Sequence, residues 1–337
     1  MVHLTAAVVS SLVLGASALS IGSRSEQSGQ IIARKWAGWK SIKQAFIFGD
    51  SYTQTGFDYT LAQPSAANPF GNPTYPGWTS SNGPNWVSYL TFKYNASKLL
   101  TYNLAYGGAT VDAALVTPYT PTVKSLRDQV ESEFIPGYTG SASKANWTGK
   151  ESVFAFWIGI NDIGNSYWQG ADGTATLNAK IFAVISSLVD QIYAAGGRNF
   201  VFINVPPLDR TPLIIPQGDT AVSLSKADVA AWNQKVVDLA KTLKTKADTN
   251  VWVYDSNKSF GDVMNNPKSH RETAGLKNTT AFCEAYQNGT PAPDTLDPSC
   301  GVPANQYFWL NNLHPTSAIH EVVAKEIAGL LTVGPNI

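Results

Sequence analysis

Residues 151–160, Glu-Ser-Val-Phe-Ala-Phe-Trp-Ile-Gly-Ile, form a nearly continuous apolar run. A strand with one wetted face alternates apolar and polar side chains. A run without alternation belongs to a strand covered on both faces, which is how the central strands of parallel sheets read. Comparable runs occur at 46–48, 99–104, 199–205 and 251–255, the third of these ended by Pro206-Pro207. Helical stretches lie at 175–195, stopped by Gly196-Gly197, at 226–247 and at 317–331. This alternation implies a parallel sheet with helices on both faces, and no internal repeat competes with it. Residues 123–134 read as a surface helix. A chain of 337 residues with 44% hydrophobic and 11% aromatic content can bury a large core. We read 45–337 as one domain, preceded by an arm at 21–44 whose Trp36 and Trp39 pack on the body. The turn-rich stretch at about 257–306 reads as an excursion from that domain.

Charge excludes some partners. The 24 basic and 24 acidic residues cancel, so no overall field favours nucleic acid or an anionic membrane, and the low charged fraction of 14% suits a secreted protein. An apolar run at 6–14 followed by Ala16-Ser17-Ala18 fits a signal peptide over 1–20, with a further trim near Arg24 or Arg34-Lys35. Its first residues carry no Lys or Arg, only His3, and the run is too short to span a bilayer. The two cysteines, Cys283 and Cys300, are spaced to close a short loop in an oxidising compartment and are expected to pair. Five Asn-x-Ser/Thr sequons, at Asn95, Asn146, Asn257, Asn278 and Asn288, point to the same compartment.

The chemistry-bearing residues lie where apolar runs break. Phe46-Ile47-Phe48 stops at Gly49-Asp50-Ser51, a turn that exposes a hydroxyl at a sheet edge, with N–H groups of a following helix expected nearby. Ser51 is the candidate nucleophile, although Gly-Asp-Ser also serves as ordinary turn chemistry. The second strand runs into Asn103-Leu104-Ala105-Tyr106-Gly107-Gly108, where glycines allow close backbone approach or simply accommodate a turn. The central run ends in Gly159-Ile160-Asn161-Asp162, and a short neutral amide such as Asn161 can donate to a developing oxyanion or cap an Asx turn. Of four histidines, His3 lies in the leader, His270 in a polar loop and His320 inside the last helix. His314, just before that helix, is the candidate general base. Aromatics of the loop at 64–84 and just beyond, Tyr75, Trp78 and Trp86, either line a sugar-binding cleft or pin the loop to the core.

Taken together and in this order, Gly49-Asp50-Ser51, Gly108, Asn161 and Leu313-His314-Pro315-Thr316 resemble the SGNH, or GDSL-type, hydrolases. The Phe-Gly-Asp-Ser-Tyr-Thr wording and the secreted character resemble the fungal acetylesterases of carbohydrate esterase family 16. The resemblance implies an α/β fold, a three-layer α/β/α sandwich around a mostly parallel, flavodoxin-like sheet. It implies a Ser51 nucleophile, a His314 base, and an oxyanion hole made of Ser51 N–H, Gly108 N–H and the Asn161 side chain, with no cofactor or metal. The expected substrate is a small acetylated saccharide derived from hemicellulose, acted on by a monomer. A GDSL-type lipase or phospholipase, and a non-catalytic saccharide-binding protein, are the alternatives. One position departs from the family: Asn311 stands where an Asp usually precedes the histidine by three residues. Its amide oxygen can orient the imidazole but adds no charge. Asp294, Asp297, Asn312 or a backbone carbonyl are other groups that could do so.

Overall fold

The computed structural model describes residues 36–337. The leader and its trimming positions fall outside them. Five strands, β1 (Gln44–Gly49), β2 (Leu100–Asn103), β3 (Ser152–Trp157), β4 (Asn199–Ile203) and β5 (Asn250–Tyr254), form one sheet in the order β2-β1-β3-β4-β5. Every pair is parallel. The order reverses between β1 and β3, and at such a point the loops leaving the carboxyl ends diverge and open a crevice.

Register turns the apolar runs into two covered faces. Phe46 lies opposite Phe154, which lies opposite Phe200, and Phe48, Phe156 and Phe202 form a second row. Along the first row, ring centroids are 5.3 and 5.7 Å apart, and along the second 4.9 and 5.4 Å. Over this face lie a π-helical segment, Asp128–Phe134, which continues into α2 (Ile135–Tyr138), and, after the short α3 (Ile160–Gly164) that follows β3, the long helices α4 (Gly170–Ala194) and α5 (Asp219–Lys244). Residues 123–134 are therefore not a surface helix: Val130 and Phe134 are fully buried, with Phe134 edge-on to Phe46. On the other face Trp157 meets Trp86 of α1 (Trp86–Phe92), Phe260 of α6 (Ser256–Asn265) and His320 of α7 (Ser317–Val333). The result is an α/β/α sandwich whose sheet is wholly parallel.

Trp36 donates to Leu331 O at 3.0 Å and meets Trp252 edge-on, while buried Trp39 donates to Tyr94 O at 3.1 Å. Helix α6 occupies the first part of the stretch at 257–306. Beyond it the chain is irregular, held by the Cys283–Cys300 disulfide and a small cluster of Tyr286, Ala304, Tyr307 and Leu310. A cross-link closing a loop this short removes about 3 kcal/mol of unfolded-chain entropy in the chain-entropy model. No helix among the described residues is long and apolar enough to cross a membrane.

Phe154, fully buried between the stacked ring of Phe46 and the tilted ring of Phe200, is the centre of the ladder. Phe154→Ala is expected to lower unfolding free energy by about 3–5 kcal/mol, read from the midpoint of urea denaturation at unchanged slope.

Candidate active site

Strand β1 delivers Gly49 to the carboxyl edge beside β3. A Cβ on Gly49 would lie 2.4 Å from Trp157 O, so only glycine lets the two strand ends come this close. Gln129 from the π-helical segment holds this residue on both sides, accepting from Gly49 N at 2.9 Å and donating to Gly49 O at 2.8 Å. The chain then makes a single turn, with Thr53 N and Gln54 N both donating to Asp50 O. No helix follows Ser51, contrary to the sequence expectation. Asn103 and Asn85 take the carbonyls that helix continuation would use: Asn103 Nδ2 donates to Thr53 O at 2.7 Å, and Asn85 Nδ2 to Thr53 O and Gln54 O at 3.0 and 2.8 Å. Asn85 Oδ1 meanwhile caps α1, accepting from Val87 N and Ser88 N. The turn is thus fixed by side-chain amides from three other segments.

His314 Nε2 lies 2.7 Å from Ser51 Oγ, bringing together residues 263 apart in sequence. Its Nδ1 lies 3.1 Å from Asn311 Oδ1. That oxygen also accepts from His314 N at 2.8 Å and Leu313 N at 3.1 Å, while Asn311 Nδ2 donates to Gln287 O at 3.3 Å. Two backbone donors identify the atom facing the imidazole as the amide oxygen, so Nδ1 must carry the proton. Nε2 is then the free acceptor for the Ser51 hydroxyl proton. Asp297 instead accepts from Ser299, and Asp294 and Asn312 are exposed, so Asn311 is the residue that holds His314.

The other two predicted donors sit on the glycine turn after β2 and on the short helix Ile160–Gly164 after β3. Gly108 has φ +80°, and a Cβ there would strike the Tyr119 ring at 2.2 Å. Gly107 approaches Ser51 closely enough that its own Cβ would lie 3.9 Å from Ser51 Cβ. Asn161 Nδ2 donates to Ala109 O at 2.9 Å, which ties it to the glycine turn and leaves its second N–H available. Asp162 binds the same loop through Val111 N at 3.0 Å. Of the sequon residues, Asn146 and Asn288 are exposed and Asn95 and Asn278 are half-buried; Asn257 is also half-buried and donates to Val205 O at 3.2 Å.

Sequence reasoning missed Tyr52. Its hydroxyl donates to Leu313 O at 2.6 Å, and its ring sits edge-on to His314. The residue after Ser51 therefore grips the residue before His314.

The sequence matches the GDSL-like Lipase/Acylhydrolase family over residues 46–327. The chain belongs to this family. It is a carboxylic ester hydrolase. Among relatives, an acetylesterase from Thermothelomyces thermophilus is 36% identical over 292 residues, covering 86% of this chain and 88% of the relative. An acetylesterase from Hypocrea jecorina is 27% identical, covering 86% and 89%. Among solved structures, an acetylxylan esterase from Geobacillus stearothermophilus aligns over 86% of this chain and 94% of its own, at 14% identity and a TM-score of 0.45.

In this GDSL-like hydrolase Asp50, Ser51 and Asp162 are buried and the site is short of charge. Burial pushes Asp50 up to about 7, with Asp162 adding repulsion, and burial does the same to Asp162 itself. Both carboxyls become neutral below that value. Burial also pushes His314 down to about 4, and its partner Asn311 offers no anion to hold a proton there. The imidazole is thus a neutral acceptor above about 4, and the proton-free form is lost as pH falls through that value.

Two measurements follow. NMR of the His314 ring is expected to show titration near 4, and Asn311→Asp, which adds an anion, is expected to raise that value; titration at the ordinary 6.5 in the parent contradicts the geometry. Tyr52→Phe, which frees Leu313 O, is expected to lower kcat on 4-nitrophenyl acetate roughly ten- to hundredfold at little changed KM.

Proposed function

We propose that this ester hydrolase removes acetyl groups from neutral saccharides, derived from hemicellulose, by a Ser-His acyl-enzyme mechanism. The observation that carries the mechanism is the 2.7 Å contact between Ser51 Oγ and a His314 Nε2 that must be unprotonated. In this reading Ser51 Oγ bonds to the ester carbonyl carbon while His314 takes its proton. The tetrahedral oxyanion receives Ser51 N–H, Gly108 N–H and the free Asn161 N–H, each such donor contributing about 3–4 kcal/mol in the transition state. Collapse breaks the bond to the sugar oxygen, which leaves with the proton from His314. Water then attacks the acyl-enzyme, with His314 again as base, and releases acetate.

The absence of a carboxylate behind His314 fits this scheme. Asn311 sets the tautomer through its oxygen, and its Nδ2 faces a carbonyl, Gln287 O, where an Asp oxygen would meet a second acceptor. The site is built around an amide at this position.

The acetyl assignment follows the two acetylesterase relatives, and the shape of the site supports it. The groove that opens beside His314 is lined largely by Thr, Ser, Asn, Gly and Pro rather than by a deep aliphatic pocket. Such a neutral, polar lining suits a hydroxylated leaving group. Secretion belongs to the same reading, supported by the leader-like residues 1–20, the Cys283–Cys300 bond and the exposed sequons at Asn146 and Asn288.

Ser51→Ala is expected to abolish release of 4-nitrophenol from its acetate ester with the thermal unfolding curve intact; turnover that persists removes Ser51 from the chemistry. In the parent enzyme, acetate is expected to outperform butyrate through octanoate esters, and the reverse order would favour the lipase alternative.

A further inference from the structure

The groove beside His314 encloses about 610 Å³, within the roughly 300–1,000 Å³ typical of ligand pockets, and more than a lone acetyl group fills. Its walls are two segments distant in sequence, 75–84 and 287–293. Asn82 clamps them together: its Nδ2 donates to Thr290 Oγ1 at 2.8 Å, and its Oδ1 accepts from Thr290 N at 2.8 Å. The groove is therefore a built feature rather than a gap between loops. No Asp, Glu, Lys or Arg lines it.

Trp78 stands in one wall with 72% of its surface exposed. Its ring rests on Gly56, where a Cβ would lie 2.7 Å from Trp78 Cε3, and its backbone N–H is fixed on Thr55 O at 2.9 Å. Bare backbone props the indole, and most of the side chain stays open to solvent. Indole is a large apolar surface, and leaving it in water forgoes burial that the core could use. Tyr75, 48% exposed, stands in the same wall, its ring edge-on to Phe92.

An uncharged groove offers no cation for a phosphate or carboxylate and no anion for an amine. What suits a flat aromatic platform rimmed by amide and hydroxyl groups is a ligand with an apolar face and a hydroxylated edge, which describes a pyranose ring. We propose that Trp78 is the stacking platform of a saccharide subsite, which holds a neutral sugar residue next to the esterified one. This rests on the ester-hydrolase reading for the position of the scissile bond, but its own evidence is the propped, exposed ring. Asn82 keeps the opposite wall in place, and Trp78 fixes the orientation in which the acetylated oxygen reaches Ser51.

The experiment separates binding from chemistry. Unacetylated xylotetraose is titrated calorimetrically into the parent enzyme, Trp78→Ala and Trp78→Phe, and kcat/KM is measured on acetylated xylo-oligosaccharides and on 4-nitrophenyl acetate. Trp78→Ala is expected to weaken xylotetraose binding and to lower the ratio of the two kcat/KM values roughly tenfold, mostly through KM of the oligomer. Trp78→Phe, which keeps a smaller ring, is expected to retain much of both. An unchanged ratio with unchanged binding overturns the proposal, as does failure of the parent to bind xylotetraose, cellotetraose or mannotetraose. Binding through Trp78 without acetate release from the oligomers would overturn the deacetylation reading and leave the subsite standing.

Discussion

The site depends on one constraint: a wholly parallel sheet whose strand order reverses between β1 and β3. All its strands point the same way, so every loop at their carboxyl ends emerges on one edge, and the reversal keeps the loops after β1 and β3 from closing over each other. Ser51 leaves from β1, the glycine turn from β2 and Asn161 from β3, so all three emerge on that one edge. Rows of stacked phenylalanines hold the strand ends in register, and removing Gly49's freedom would push β1 away from Trp157 O.

The imidazole comes from outside the sheet and is positioned differently. His314 belongs to the irregular segment before α7, where no strand fixes it. Its place is set by local and distant bonds acting together. Asn311 Oδ1 gathers three N–H groups, Tyr52 holds Leu313 O from the nucleophile's own turn, and Gln287 O receives the remaining amide hydrogen. Gln287 lies within the loop closed by Cys283 and Cys300, and so do the groove residues 287–293. The cross-linked excursion therefore supports the base and forms the wall of the groove. This gives the irregular residues 266–306 a role at the site, while Phe260 and Val263 of α6 belong to the core.

Much of this was legible in the sequence, because it is written in local patterns. Apolar runs without alternation located the central strands, and the breaks at their ends located Ser51, Gly108 and Asn161. What escaped was written in contacts across the chain. The helix expected after Ser51 is absent because amides of Asn85 and Asn103, 31 to 50 residues away, take its carbonyls. The segment at 123–134 was read as a surface helix because a π-helical stretch does not repeat its apolar positions at the α-helical spacing. Tyr52 was noted only as part of the Phe-Gly-Asp-Ser-Tyr-Thr wording, because its bond to Leu313 O spans 261 residues.

By itself the sequence determined the class of fold, the parallel direction of the sheet and the residues found at its carboxyl edge, since side-chain periodicity and turn chemistry are properties of neighbouring residues. Only the tertiary structure decided the strand order, which of several groups holds His314, and the clamped groove with its exposed tryptophan. Each of those rests on hydrogen bonds and packing between segments tens to hundreds of residues apart, and no local pattern carries that information.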